Sequence, residues 1–139
     1  MSKLAWIVVL AVLSAPAAAQ QAGFPDLRGT WKGESESIVL GGAGHHPAPQ
    51  AGAQPRYSSV PFTMVIDKQD GRRFSGTFSS PRHSETVIAV IGRNGTIFLV
   101  DDDGYTLGTV LTPNRIELCY MHLSAAARIA SCTELTKQP

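Results

Sequence analysis

The stretch that decides the fold is Asp-Leu-Arg-Gly-Thr-Trp-Lys-Gly-Glu-Ser-Glu-Ser-Ile-Val-Leu, residues 26–40. It places a Gly-x-Trp sequence at the head of a segment with alternating inward and outward side chains, the pattern of a half-buried β-strand. The rest of the chain continues the pattern, with turn residues about every 8–12 positions. Together these features predict a small antiparallel β-barrel or a closely related β-sandwich.

Alternation predicts the first strand at 27–40 and seven more after it. Their predicted bounds are 59–67, 73–80, 85–92, 96–100, 105–111, 115–123 and 128–136. Asn94-Gly95 and Asp103-Gly104 separate neighbouring segments, and both dipeptides are strong hairpin signals. Eight strands that follow one another can close on themselves, which removes the exposed sheet edges. We therefore predict an all-β fold, an eight-stranded antiparallel up-and-down β-barrel.

The alternation also assigns side chains to an inner and an outer face. The predicted inner face is largely apolar: Trp31, Phe62, Met64, Ile66, Phe74, Gly76, Phe78, Val87, Ala89, Ile91, Ile97, Leu99, Tyr105, Leu107, Leu111, Ile116, Leu118, Tyr120, Ile129 and Leu135. A polar set falls among them: Ser35, Ser37, Thr109, Tyr120, His122, Ser131 and Thr133. These groups would orient a ligand, or the hydroxyls would satisfy one another or hold a buried water. Ile88 and Val90 are apolar on the outer face, which suggests an oligomer contact or a covering loop.

Residues 1–19 have the features of an export signal. Lys3 precedes an apolar run over 4–13, and Pro16 and the small residues Ala17-Ala18-Ala19 follow it. The run is shorter than the ~20 residues of a membrane span, although an uncleaved anchor is the alternative. We expect a periplasmic or secreted protein whose mature part, residues 20–139, is one domain without a membrane span.

The charge balance bears on the class of partner. The chain has 12 Lys and Arg residues and 11 Asp and Glu residues, so without Lys3 the formal charge is zero. Binding to nucleic acid requires a clustered basic surface, and the densest basic spot is Arg72-Arg73 in a predicted turn. Nucleic acid is therefore excluded as the expected partner.

Cys119 and Cys132 are the two cysteines of the chain. If residues 124–127 form a hairpin tip, residues whose numbers sum to 251 face each other, and the two cysteines become cross-strand neighbours. Such neighbours have Cβ atoms ~4.5–5.5 Å apart, close enough to bridge. In an exported protein this arrangement predicts a disulfide.

Residues 41–57 form the one long irregular segment, and 41–55 are rich in Gly, Ala and Pro, which predicts a flexible loop. His45-His46 in this loop would bind a metal only with help from elsewhere, for example from His83 or an acidic group. Solvated loop histidines are the favoured interpretation, and no metal site or other cofactor is predicted.

Other candidate chemistry is weak. Asp101-Asp102-Asp103-Gly104 lacks the glutamate that ends an EF-hand loop, so a hairpin turn is favoured. No Gly-x-Ser-x-Gly elbow occurs, and a disulfide would remove Cys119 as a nucleophile. His122 beside Tyr120 is the one histidine predicted inside the barrel, where a satisfied polar pair is favoured over a ligand contact. We predict no catalytic residues and no enzymatic activity.

Leu27-Arg28-Gly29-Thr30-Trp31 resembles the first strand of the calycins, the superfamily of lipocalins and avidins, in which the tryptophan plugs one end of the barrel. Residues 62–66, Asp70-Gly71 and Gly76-Thr77-Phe78-Ser79-Ser80 are similar to the avidin second and third strands. The resemblance implies that Ser37 and Ser80 take the places of two biotin-binding hydroxyls. Gly33 and Phe78 replace an asparagine and a tyrosine, and Trp31 is the one tryptophan outside the signal, which argues against biotin as the ligand.

These observations predict an exported, non-enzymatic barrel that binds a small, mostly apolar molecule at its open end. The predicted ligand-binding residues are Trp31, Ser37, Tyr57, Phe78, Tyr105, Tyr120, His122 and Ser131. The alternative is an envelope interaction module or inhibitor that uses its outer face or the 41–55 loop, and a homo-oligomer is also possible.

Overall fold

The computed structural model describes residues 23–47 and 54–139. The predicted export signal and residues 48–53 of the predicted loop lie outside the described residues. The described residues form nine strands: β1 (Gly29–Gly41), β2 (Arg56–Ser58), β3 (Pro61–Asp70), β4 (Arg73–Ser79), β5 (Ser84–Ile91), β6 (Thr96–Val100), β7 (Tyr105–Thr112), β8 (Arg115–Leu123) and β9 (Ala127–Lys137). The described ranges contain no helix of the length and hydropathy needed to cross a membrane.

The strands form one antiparallel sheet that closes into a barrel. From β3 to β9 each strand pairs with the next, and β9 pairs back onto β1 from Trp31↔Lys137 to Gly41↔Ala127. β3 pairs with the first half of β1, and the short β2 pairs with the second half. Because β2 and β3 occupy one position, the barrel has eight strands, as predicted.

The predicted strand bounds hold closely. β6 and β8 have the predicted ends, and most others differ by one or two residues. The predicted second strand, 59–67, is the exception, because β3 begins at Pro61 and continues to Asp70. The separate strand β2 lies within residues predicted as loop, and a break at Ser59-Val60 separates it from β3. There the amide of Ser35 donates to the carbonyl oxygen of Val60 at 2.9 Å, and the Ser35 hydroxyl accepts from the amide of Val60 at 3.1 Å. These bonds satisfy the backbone groups that the break would otherwise leave unpaired.

Trp31 closes one end of the barrel. The side chain is fully buried, and its indole Nε1 donates to the carbonyl oxygen of Leu27 at 2.8 Å. The ammonium group of Lys137 lies 5.6 Å from the centre of the ring. Met64 and Leu135 are also fully buried in the same core cluster. Burial of each large apolar side chain stabilises the fold by about 1.5–3 kcal/mol.

The predicted inner face of β7, the sixth predicted strand, is wrong. Tyr105 is 55% exposed, Leu107 and Leu111 are also exposed, and Thr109 points outward with them. The neighbouring strand explains the inversion, because residues paired across a sheet lie on the same face. Buried Leu99 pairs with Thr106, so Thr106 and the following alternate residues face inward and the larger side chains face outward.

The predicted disulfide is confirmed. Cys119 of β8 and Cys132 of β9 are directly paired and bridged, with Cα atoms 4.0 Å apart. The bridge lies on the outer face. It ties together two strands whose inner faces carry Tyr120 and Ser131.

Candidate functional site at the open end of the barrel

Residues 42–47, here called the flap, fold over the end of the barrel away from Trp31. The flap begins where β1 ends at Gly41, whose φ of +80° suits glycine. Ala43 and His46 exchange two backbone hydrogen bonds of 2.8 and 2.6 Å, which make a tight turn. The guanidinium group of Arg56 donates to the carbonyl oxygens of Gly41 and Pro47. These contacts hold the flap against the barrel.

His45 reaches from the flap into the barrel mouth. Its Nδ1 lies 2.7 Å from Ser80 Oγ and its Nε2 lies 3.0 Å from Glu85 Oε1. The ring meets Phe62 and Phe78 edge-on, with centroids 5.0 and 6.0 Å apart. Only 11% of the side chain is exposed.

His46 is buried as well, and its Nδ1 lies 3.3 Å from Ser58 Oγ. Burial lowers the pKa of His46, and the nearby His45 and Arg56 lower it further. The prediction of solvated loop histidines is therefore wrong. It assumed an extended segment, whereas the turn at 43–46 directs both side chains into the protein.

Glu85 is the buried carboxylate of the site. It lies on the inner face of β5 in phase with Val87 and Ile91, and its side chain is only 5% exposed. Besides His45, it faces His83, whose Nε2 lies 3.6 Å from Glu85 Oε2. Burying a carboxylate is costly unless it is paired, and these two imidazoles are the partners that the structure provides.

Asp101 and Asp103 supply two more carboxylates to the mouth. Asp101 Oδ1 accepts hydrogen bonds from the amides of Asp103 (3.2 Å) and Gly104 (2.7 Å). This bonding is typical of an Asx turn and agrees with the predicted hairpin turn. Burial raises the pKa of Asp101, and the negative charge of Glu85 raises it further.

Tyr120 and His122 brace the Asp103 turn. The Tyr120 hydroxyl donates to Asp103 Oδ1 at 2.8 Å, and burial, followed by this hydrogen bond, raises the pKa of Tyr120 well above its usual range. His122 Nδ1 lies 2.9 Å from the carbonyl oxygen of Asp103, so this nitrogen carries the proton and donates. His122 Nε2 lies 3.1 Å from Ser124 Oγ. Both ring nitrogens of His122 thus contact protein groups, as expected of a satisfied polar pair.

A cavity lies beneath the flap. Its walls are mostly apolar, and its lining includes Phe62, Phe78, Val87, Leu99, Leu118 and Ile129. The space open to the centre of a water molecule is about 40 Å³. A cavity needs at least roughly 10–15 Å³ to hold one water, so the space beneath the flap has room for water molecules. Glu85, Asp101 and Asp103 line it, and among the described residues no lysine or arginine does.

Some of the predicted ligand-binding residues line the cavity and others do not. Phe78, Tyr120 and Ser131 line the cavity. Ser37 does not line it, because its hydroxyl bonds to Ser131 at 2.7 Å and to Ser35 at 3.1 Å. His122 lies next to the cavity behind Tyr120.

The remaining predicted contacts lie away from the cavity. Trp31 is at the opposite end of β1. Tyr57 is 90% exposed on β2, and Tyr105 lies on the outer face of β7. None of the three side chains lines the cavity.

The polar centre of the mouth consists of His45, His83, Glu85, Asp101 and Asp103. The sequence interpretation considered His45 with His83 or an acidic group and disfavoured the combination, and it missed Glu85. The alternation contained a signal for Glu85, since the phase of Val87 and Ile91 places a glutamate on the inner face. His45 carried no such signal, because a loop rich in glycine and proline has no periodicity from which a direction can be read.

A second feature lies on the outside of the barrel. Apolar side chains pair across β5, β6 and β7 on the outer face, through Ile88↔Val100 and Val90↔Phe98 and on to Leu107 and Tyr105. Ile88 is 58% exposed and Phe98 is 50% exposed. These six residues, here called the outer apolar patch, form a continuous surface of the kind that often marks an interaction site.

Comparisons with known proteins do not place the chain in a family. No protein-family model matches the chain, and no curated protein matches it. Among solved structures, a redesigned β-barrel is similar, with a TM-score of 0.48 and 10% sequence identity over 81% of this chain and 92% of that chain.

Proposed function

We propose that this is an exported, non-enzymatic barrel, periplasmic or secreted, that binds a small and mostly apolar molecule under the flap. The supporting observation is the mouth cavity, whose walls are apolar and whose polar groups converge on one side. The disulfide supports an oxidising compartment, because such bonds persist outside the cytoplasm.

The charges at the mouth indicate the chemistry of the ligand. Glu85, Asp101 and Asp103 face the cavity without a lysine or arginine among its described lining residues. A ligand with a positive or hydrogen-bond-donating group, such as an amine, would complement these carboxylates. Its apolar part would contact Phe78, Val87 and Leu99.

Binding requires the flap to move. The cavity of about 40 Å³ is too small for an organic molecule with several carbon atoms, since typical ligand pockets measure about 300–1,000 Å³. The flap rests on side-chain contacts of His45 and Arg56 rather than on a long strand ladder, so it can open without breaking the barrel. Displacing it joins the cavity to the surface.

A matched set of amphiphiles tests the proposal. We expect decylammonium to bind the protein, as measured by isothermal titration calorimetry, while decanoate of equal chain length binds at least about tenfold more weakly. Glu85→Gln should remove most of this preference, because a hydrogen bond to a charged group contributes about 1.5–3 kcal/mol. Glu117→Gln on the outer face of β8 is the control. The proposal would be contradicted if the two amphiphiles bound with equal affinity, or if neither bound.

The outer apolar patch supports a second candidate, a protein-interaction module or homo-oligomer. Sedimentation velocity over a concentration series tests it, with Phe98→Lys as the disrupting variant and Thr77→Lys, on the outer face of β4, as the control. Self-association that Phe98→Lys abolishes would favour this candidate. Tyr120→Ala separates the two, since it should weaken the binding of a small ligand and leave the outer face unchanged.

A further inference from the structure

Three potential metal ligands converge at the barrel mouth from separate parts of the chain. His45 comes from the flap, His83 from the turn between β4 and β5, and Glu85 from the start of β5. Their nearest ligand atoms all lie within 4.8 Å of one another. His83 and Glu85 are two positions apart in nearly extended backbone, a spacing that directs side chains to the same side, and the flap brings His45 to meet them.

The distances suit a small ion. Glu85 Oε1 lies 3.0 Å from His45 Nε2, and Glu85 Oε2 lies 3.6 Å from His83 Nε2. Around a tetrahedral Zn²⁺ with bonds of about 2.0–2.2 Å, neighbouring ligand atoms lie about 3.3–3.5 Å apart. The two observed separations, which involve different oxygens of Glu85, bracket that value. The ligand atoms of the two histidines lie within 4.8 Å of each other, so rotation of the exposed His83 side chain would bring the set around one ion.

We propose that His45, His83 and Glu85 form a binding site for a divalent transition-metal ion of the Zn²⁺ type, with the flap as a clamp over it. Two imidazoles and one carboxylate are a donor set that suits Zn²⁺, whereas Ca²⁺ and Mg²⁺ prefer oxygen ligands alone. Three protein ligands leave a fourth position. The cavity lined by His45 and Glu85 has room for a water molecule there.

Ser80 acts as the outer partner of the site. Histidines that bind metals usually donate their other ring N–H to a neighbouring group, which fixes the ring orientation. His45 Nδ1 lies 2.7 Å from Ser80 Oγ, so Nδ1–H can donate to this hydroxyl while Nε2 faces the ion. Ser80 Oγ also accepts from the amides of Arg82 and His83, each at 3.3 Å, which ties the His83 turn to the same hydroxyl.

Burial and charge favour the ion further. Glu85 is nearly inaccessible, and Asp101 and Asp103 also face the mouth, so a divalent cation would offset a concentration of negative charge. His83 is 41% exposed, which leaves a path from solvent to the site. The metal site shares Glu85 and the cavity wall at His45 with the proposed ligand site, but it is inferred from the convergence of three ligand atoms and not from an apolar ligand.

The site is tested on untagged protein that has been treated with a chelator and then freed of it. This protein is titrated separately with Zn²⁺ and with Co²⁺, with no other ligand present. We expect one ion per chain by calorimetry, a tetrahedral visible spectrum for Co²⁺, and a higher melting temperature with Zn²⁺. His83→Gln and His45→Gln should abolish this binding. Ser80→Ala should weaken it about 10–100-fold, as is typical for the loss of an outer partner.

His46→Gln and His122→Gln are the matched controls, since they remove the other two of the four histidines and leave the three ligands in place. Circular dichroism confirms that each variant folds. The proposal is overturned if the wild-type protein binds neither ion, or if binding survives in both His45→Gln and His83→Gln. The proposal would also be overturned if the protein bound Ca²⁺ and not Zn²⁺ and if the Asp101→Asn variant no longer bound Ca²⁺. The amphiphile titrations contain no transition metal, so the two proposals can fail separately.

Discussion

Reduction of the Cys119–Cys132 bridge should lower the stability of the barrel by an amount that follows from its position. The cysteines are 13 positions apart, so the bridge closes a loop of about 14 residues. In the chain-entropy model, closure of such a loop destabilises the unfolded state by about 3 kcal/mol. For roughly 110 folded residues, an unfolding entropy of about 2.1 cal/mol/K per residue converts this into a fall in melting temperature of about 13 °C.

Differential scanning calorimetry with and without a thiol reductant measures the effect. The double variant Cys119→Ala with Cys132→Ala is the control, because it should melt near the reduced wild-type protein and should not respond to reductant. The backbone pairing of β8 with β9 remains in both, so the folded barrel itself is expected to persist. A fall of less than about 3 °C would refute the reasoning, since the bridge would then constrain the unfolded chain far less than its loop length requires.

Three further predictions concern the mouth and the core. Because the pKa of Tyr120 is raised, its neutral hydroxyl stabilises the fold at pH values below the ordinary tyrosine pKa of 10.0, and this stabilisation is lost as the pH rises above 10.0. Part of the phenolate absorbance at 295 nm should therefore appear only when the protein unfolds at alkaline pH. The Tyr120→Phe variant should lack this late increase in absorbance. Gly104→Ala should cost about 1–3 kcal/mol in urea unfolding, because a Cβ would lie 2.3 Å from Tyr120 Cε2, whereas Gly23→Ala, with no atom within 4 Å, should cost almost nothing. Ile116→Ala should cost about 2–5 kcal/mol because the side chain is fully buried, and Leu123→Ala, 81% exposed, should change stability by less than about 0.5 kcal/mol.

The sequence predicted the strands and the disulfide well because both depend on local patterns. Asn94-Gly95 and Asp103-Gly104 mark two hairpins directly, and alternation fixes the strands between them. The facing of Cys119 and Cys132 followed from one assumed hairpin tip at 124–127. Neither prediction required knowledge of contacts distant along the chain.

The inner face of β7 could not be predicted from its own residues. Tyr105, Leu107 and Leu111 are its large apolar side chains, and size alone suggested that they face the core. Their direction is set by pairing with β6, in which Leu99 is buried opposite Thr106. Because β6 and β7 both carry apolar residues on the outer face, alternation within β7 alone does not identify the buried face.

The polar centre of the mouth could not be predicted for a different reason. His45 approaches Ser80 and Glu85 across 35 and 40 positions of sequence, and no spacing rule connects a loop to a strand at that distance. Glu85 could have been noticed as a charged residue in an inward phase. Its role as a partner of His45 and His83 depends on the position of the flap, which the sequence alone does not predict.

Native mass spectrometry of the protein purified from its own host tests the binding of a small molecule most directly. We predict a bound organic molecule that is retained under native conditions and lost on denaturation, and its mass would identify the class of ligand. A chain without any organic adduct, either alone or as an oligomer assembled through the outer apolar patch, would contradict the proposed function.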